Sequence, residues 1–189
     1  MRKIITTNNR GYTLVELLAF TSIIVIVSGL IVGILYSTLR GGNKTRATND
    51  VSQNGNYALS QISNTALIAT NVTKVGGAAI SDCTTKKQGT SIEFQQEDGS
   101  LVSFACDQST QSIASASGST TGYLIDNTST KVVPATCNFS CFQATGNPYS
   151  SPIISITFTI SQRTSSTLFE NVASGQYKTS VTMRNYSPR

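Results

Sequence analysis

The 189-residue chain contains no histidine, and only 12% of its residues are charged. The first absence removes Ser–His and Cys–His nucleophile pairs and every histidine-ligated metal site. There is also no Cys-x-x-Cys pair, so neither a structural zinc site nor any other metal or cofactor is expected. The shortage of charge leaves solubility to Ser, Thr, Asn and Gln, which crowd the chain after about residue 43, a composition common in secreted β-rich proteins. Nor is there a basic run. The formal charge of +5 leans on Arg2, Lys3 and Arg10, and from Asn49 onward basic and acidic residues are equal in number. A broad electrostatic footprint for nucleic acid is therefore not expected.

What the sequence does have is a long apolar run. Residues 14–36 read LVELLAFTSIIVIVSGLIVGILY, and at the helical rise they span about 35 Å, enough to cross a bilayer core of about 30 Å. The basic residues ahead of the run favour a cytoplasmic N-terminal side, leaving the rest of the chain outside. Arg40, Lys44 and Arg46 on the far side reduce that asymmetry. An ordinary secretory signal has a shorter core and a small-residue cleavage site, and Gly41-Gly42 makes no such site. An uncleaved signal anchor is the plain alternative.

Glu16 speaks against the plain alternative. A carboxylate near the start of an apolar span costs on the order of 2–3 kcal/mol if it lies deep, so a counter-charge is expected. A cut after Gly11 would create an amine at Tyr12, four residues before Glu16. The carboxylate also suits the positive end of a helix dipole. In a bundle of parallel helices the amine of an adjacent subunit can take over the pairing. A slip of one turn would then leave two charges unmatched, which fixes the axial register.

The residues Gly11-Tyr12-Thr13-Leu14-Val15-Glu16-Leu17-Leu18, behind the short leader MRKIITTNNRG, resemble the class III signal of type IV prepilins and type II secretion pseudopilins. Tyr12 stands where the family usually has Phe. The resemblance implies cleavage between Gly11 and Tyr12 by a prepilin peptidase, N-methylation of Tyr12, and assembly guided by Glu16. The implied partners are other pilin or pseudopilin subunits and an inner-membrane assembly platform. The location is a single pass of the cytoplasmic membrane with the globular part outside, then a periplasmic or extracellular filament. The implied fold is α+β: a long N-terminal helix, transmembrane then amphipathic, packed on an antiparallel β-sheet. The divisions are a leader at 1–11, a helix at 12–70 with its transmembrane half at about 13–36, and a β-rich domain at 71–189. Gly29 and Gly33 have the Gly-x-x-x-Gly spacing that permits close helix approach, and glycine is also simply frequent in membrane helices.

Further along, Asn49 or Asp50 is a candidate cap for a second helical stretch. Val51, Ala58, Leu59, Ile62, Ala66 and Ala69 recur there at helical spacing, and Gly41-Gly42 and Gly55 weigh against one unbroken helix. Ser91–Gln96 and Leu101–Cys106 flank Asp98-Gly99, a two-residue hairpin signal. Residues 109–121 read as an exposed Ser/Thr/Gly loop, and Tyr123–Ile125 with Lys131–Val133 read as a second hairpin. Clean alternation at Ile154, Ile156, Phe158, Ile160 and at Tyr177, Thr179, Val181, Met183 predicts two more strands, in a total of three to six. The pieces IEFQQEDGSLVSF, PIISITFTI and YKTSVTMRNY are similar to those of larger, tip-like minor pseudopilins. The four cysteines, Cys83, Cys106, Cys137 and Cys141, are disulfide candidates in an exported domain. Closeness in sequence favours Cys83–Cys106 with Cys137–Cys141.

Other functions leave fainter traces. Glu93 and Glu97 are four apart and would share a solvated strand face; no catalytic residue stands out. Asn43, Asn71, Asn127 and Asn138 begin Asn-x-Ser/Thr triplets expected by chance in this composition. A pilin-like module that binds DNA or a surface, and a single-pass membrane enzyme, remain the alternatives to a filament subunit.

Overall fold

The computed structural model describes residues 11–144, 147, 149–168 and 171–187. Of the expected leader, only Gly11 falls among them. The chain divides into two compact units, residues 1–42 and 43–189. One helix, α1 (Leu14–Ile68), belongs to both.

In the first unit the helix carries every residue of the apolar run with its side chain exposed. The hydroxyls in the run are satisfied locally. Thr21 donates to the Leu18 carbonyl at 3.0 Å, Ser22 to Ala19 at 2.8 Å and Thr38 to Ile34 at 2.9 Å. Such back-bonding hides polar groups that water would otherwise have to satisfy. Helical structure continues through Gly41-Gly42, and no new cap forms at Asn49 or Asp50. Each glycine costs about 1 kcal/mol against alanine, which is too little to interrupt a helix of this length.

In the second unit the rest of α1 packs against two antiparallel sheets. Its buried positions, Ala47, Val51, Gly55, Ala58, Ile62 and Ala66, follow one face at three- and four-residue steps, as the spacing predicts. The six-stranded sheet has the order β2-β1-β4-β5-β6-β7. Its members are β1 (Asn71–Val75), β2 (Ala78–Ala79), β4 (Ser91–Gln95), β5 (Leu101–Asp107), β6 (Ser112–Ser117) and β7 (Thr120–Tyr123). The second sheet joins β11 (Ser174–Thr182), β10 (Ile153–Gln162), β9 (Asn138–Phe142) and β3 (Lys87–Gly89) in that order, and β8 (Thr130–Val132) also pairs with β10. This is the α+β arrangement expected, with eleven strands among the described residues rather than three to six.

Alternation puts one face of each main strand into the core. Ile92 and Phe94 of β4 join Phe104 of β5; Ile154, Ile156, Phe158 and Ile160 of β10 join Phe139 of β9; Ile62 and Ala58 close the core from the helix. Phe94 and Phe104 meet edge to face with centroids 6.3 Å apart. Among the described residues, twenty-four buried apolar ones form this cluster, and the ranks of Phe, Ile and Val supply the driving force at about 25 cal/mol per Å² of apolar area removed from water.

Three local expectations are corrected. The β4–β5 hairpin exists, with Ile92 opposite Phe104 and Phe94 opposite Val102. Its turn is longer than two residues, because Gln96 and Ser100 still bond across it and Gly99 alone takes the left-handed conformation, at φ 82°. The supposed loop at 109–121 is largely the β6–β7 hairpin, turning at Gly118-Ser119 with Gly118 at φ 59°. Tyr123–Ile125 does not pair with Lys131–Val133: Tyr123 ends β7, whereas β8 pairs with β10.

All four cysteines are disulfide-bonded, in a pairing different from the one expected: Cys83 with Cys141 and Cys106 with Cys137. The reason is geometric. Cys137 lies just before β9 and Cys141 within it, and four extended residues separate Cα atoms by about 13 Å, well beyond the 7 Å that a disulfide tolerates. Cys83 instead lies alongside β9. Its carbonyl accepts the Gln143 N–H at 2.8 Å, and its own N–H donates to the side-chain oxygen of Gln143 at 3.2 Å. Cys106 on β5 reaches Cys137, so the second bridge ties one sheet to the other.

Candidate anchoring and assembly site

The residues Gly11, Tyr12 and Glu16 sit at the start of α1, on its first turn and just ahead of it. Thr13 is the residue that organises them. Its carbonyl accepts the Leu17 N–H at 3.2 Å, opening the helix, and its hydroxyl accepts the Glu16 N–H at 3.2 Å. A Thr whose side chain bonds the backbone three residues on is an N-cap, and Thr-x-x-Glu is the sequence of a capping box. The signal for it is Thr13-Leu14-Val15-Glu16, in which the acid stands out by its chemistry and the cap only by its spacing.

Capping places Glu16 in the first turn, the place where the partial positive charge of the exposed N–H groups favours a carboxylate. Among the described residues the Glu16 carboxylate has no hydrogen-bond or ionic partner. It stands in an otherwise apolar wall, with Leu14, Val15, Leu17, Leu18 and Phe20 all exposed. Tyr12 is 83% exposed and Gly11 is open, so the Gly11–Tyr12 bond is accessible within this unit.

The far end of the run is marked by Arg40, whose guanidinium carbon lies 4.5 Å from the centroid of the Tyr36 ring. An arginine over an aromatic face suits the interface where a lipid core gives way to water. Gly29 and Gly33 share an open surface, since a Cβ added at either would meet nothing. The helix is long and apolar enough to cross a membrane.

The remaining candidates fall apart as sites. Glu93 lies on β4, where its carboxylate accepts from the Thr73 hydroxyl at 2.6 Å and pairs with Lys74 at 3.1 Å. The Thr73 hydrogen bond, then Lys74, holds its pKa below the ordinary value. Glu97 belongs to the turn that follows, so the two acids do not share a strand face. Asn71 is buried, with its side-chain oxygen accepting the Val72 N–H at 2.8 Å, whereas Asn43 and Asn138 are exposed. Among the described residues no three His, Cys, Asp or Glu side chains are placed to hold a metal ion.

Comparison of the chain with family models, with curated proteins and with solved structures finds no match.

Proposed function

We propose that the chain is the precursor of a type IV pilin-like subunit, a minor pilin or pseudopilin that is cut after Gly11 and assembled through α1. The observation that carries the reading is Glu16: a carboxylate without a partner among the described residues, on the capped first turn of an apolar helix, four residues after the bond whose cleavage would supply an amine. The Gly11-Tyr12-Thr13-Leu14-Val15-Glu16 signal and the joining of that helix to an α+β head support it.

In this reading a prepilin peptidase hydrolyses the Gly11–Tyr12 bond and the new amine of Tyr12 is N-methylated. The apolar half of α1 holds the subunit in the cytoplasmic membrane with the disulfide-bonded head outside. During assembly that half leaves lipid for a bundle of like helices, where Glu16 meets the amine of a neighbour. Its carboxylate then opposes any axial slip, because an unmatched charge among apolar helices is costly.

The test is an intact mass together with two substitutions. Protein purified from a host that has prepilin peptidase is expected to have lost residues 1–11 and to carry one methyl group on Tyr12. Glu16→Gln keeps the length and capping capacity of the side chain and removes the charge; Glu16→Ala removes both. Filament formation is expected to fail for both variants while membrane insertion persists. A retained leader, or filaments from Glu16→Gln at the normal level, would sink the proposal.

A further inference from the structure

Strand β11 runs for nine residues, each paired with β10 in an unbroken register from Ser174 opposite Ser161 to Thr182 opposite Ile153. It is the last strand of its sheet. Among the described residues no strand or loop bonds to its other side. The other terminal strands are shorter: β2 has two residues, β3 three and β7 four. Shortness is one way proteins blunt a sheet edge; prolines, bulges and rows of charge are others. β11 uses none of them except a single charge, Lys178, at its centre.

The edge is also held in shape. Residues Gly175, Tyr177, Thr179 and Val181 are half-buried, and Ser174, Gln176, Lys178, Ser180 and Thr182 face solvent. The Tyr177 ring stacks on Phe158 with centroids 5.5 Å apart, and its hydroxyl donates to the Val51 carbonyl at 2.8 Å. Ser180 and Ser155 share a hydrogen bond of 2.9 Å on the outer face. A rigid edge binds at a lower entropic cost than a mobile one.

We propose that the free edge of β11 is a docking site for an extended segment of a partner polypeptide, added as a further strand with an acidic side chain beside Lys178. The backbone decides the class of partner. An unpaired edge offers N–H and C=O groups alternating along the strand, a pattern matched by another extended peptide backbone. Lys178 decides the charge. It is exposed, and no acidic side chain among the described residues pairs with it. Its neighbours on the outer face, Gln176 and Ser180 on its own strand and Thr157 across on β10, are uncharged. An incoming acid therefore finds an ammonium with no competitor. Nothing in this inference depends on the pilin-like reading.

The experiment uses full-length, isotope-labelled protein as a detergent-solubilised monomer, so that filament assembly does not enter. The probe is a short acetylated peptide of alternating Thr and Val with a central Asp. Controls carry Lys in place of Asp, or N-methyl groups on alternate amides. With the acidic peptide, hydrogen exchange at the outward amides of β11 is expected to slow by about tenfold. The Lys peptide is expected to bind about threefold more weakly, the size of one cross-strand ion pair, and Lys178→Glu to reverse that preference. N-methylation is expected to abolish protection. No slowing at millimolar peptide, equal protection by the methylated peptide, or amides already protected by a second copy of the chain would each overturn the proposal.

Discussion

Tyr177 and Gly55 occupy one another's space: the phenol ring lies where the side chain of residue 55 would be, so that a Cβ built there would run into the ring atoms. Glycine at this point of α1 is therefore a packing requirement, and it brings β11 against the helix backbone closely enough for the Tyr177 hydroxyl to reach the Val51 carbonyl.

Gly55→Ala is accordingly expected to destabilise the protein by about 1–3 kcal/mol through overpacking. The same change at an open helical glycine reduces backbone freedom in the unfolded chain and stabilises by up to about 1 kcal/mol. Gly42, around which there is open space, is the control. Opposite signs for Gly55→Ala and Gly42→Ala in denaturant unfolding would bear this out; equal signs would remove the packing argument. Tyr177→Phe should cost about 1 kcal/mol, the worth of one hydrogen bond.

The disulfide pairing is directly measurable. Proteolysis without reduction, followed by mass analysis, should recover Cys83 linked to Cys141 and Cys106 linked to Cys137. The bridges enclose sequence separations of 58 and 31 residues, for which loop closure gives about 4 kcal/mol each. Replacing both members of either pair by Ser should lower stability by a large part of that, and recovery of a Cys137–Cys141 peptide would contradict the structure.

Two aspartates set an acid limit. Asp126 accepts from the Thr128 hydroxyl at 2.6 Å and the Ser129 hydroxyl at 2.7 Å, which with the Thr128 N–H lowers its pKa to about 2. Asp107 is lowered to about 2 in the same way, by Ser109 first and then Thr110. Both lie below the ordinary value of 3.8, so the folded state holds these protons less tightly than the unfolded one. Their stabilisation is complete above the unfolded value and disappears as pH falls from about 4 to about 2. Carboxyl resonances titrating near 3.8 rather than near 2 would show that these turns do not form.

The helix cap offers a fourth test. Thr13→Val removes the hydroxyl that accepts the Glu16 N–H and should weaken the first turn by about 1 kcal/mol, while Thr13→Ser should leave it intact. Faster hydrogen exchange at Glu16 in the valine variant alone is the expected reading.

The elements legible in the sequence are those whose signal is local. The apolar run, the buried helix face from Val51 to Ala66, and the alternation of β10 each state a periodicity that packing then uses. Strands β6 and β7 are hard to read because Ser, Ala and Gly dilute the strand preference of Ile113, Thr120, Thr121 and Tyr123. β6 forms because β5 offers six consecutive partners, from Val102 to Asp107, and β7 because β6 then offers four of its own, a fact about neighbours rather than about the segment. The cysteine pairing was hidden for the same reason, since proximity along the chain says little once β9 is extended. At the site, Glu16 was readable from its chemistry in apolar surroundings, whereas the cap supplied by Thr13 is a relation between two residues and emerged with the helix.

The bridge from Cys83 to Cys141 encloses the one from Cys106 to Cys137, and this nesting has a mechanical consequence. A chain pulled from its two ends can lengthen only through the residues outside the outer bridge: the helix, β1 and β2 on one side, β10 and β11 on the other. However hard such a molecule is stretched, the whole stretch from β3 to β9 stays slack, shielded from the load by one covalent short cut.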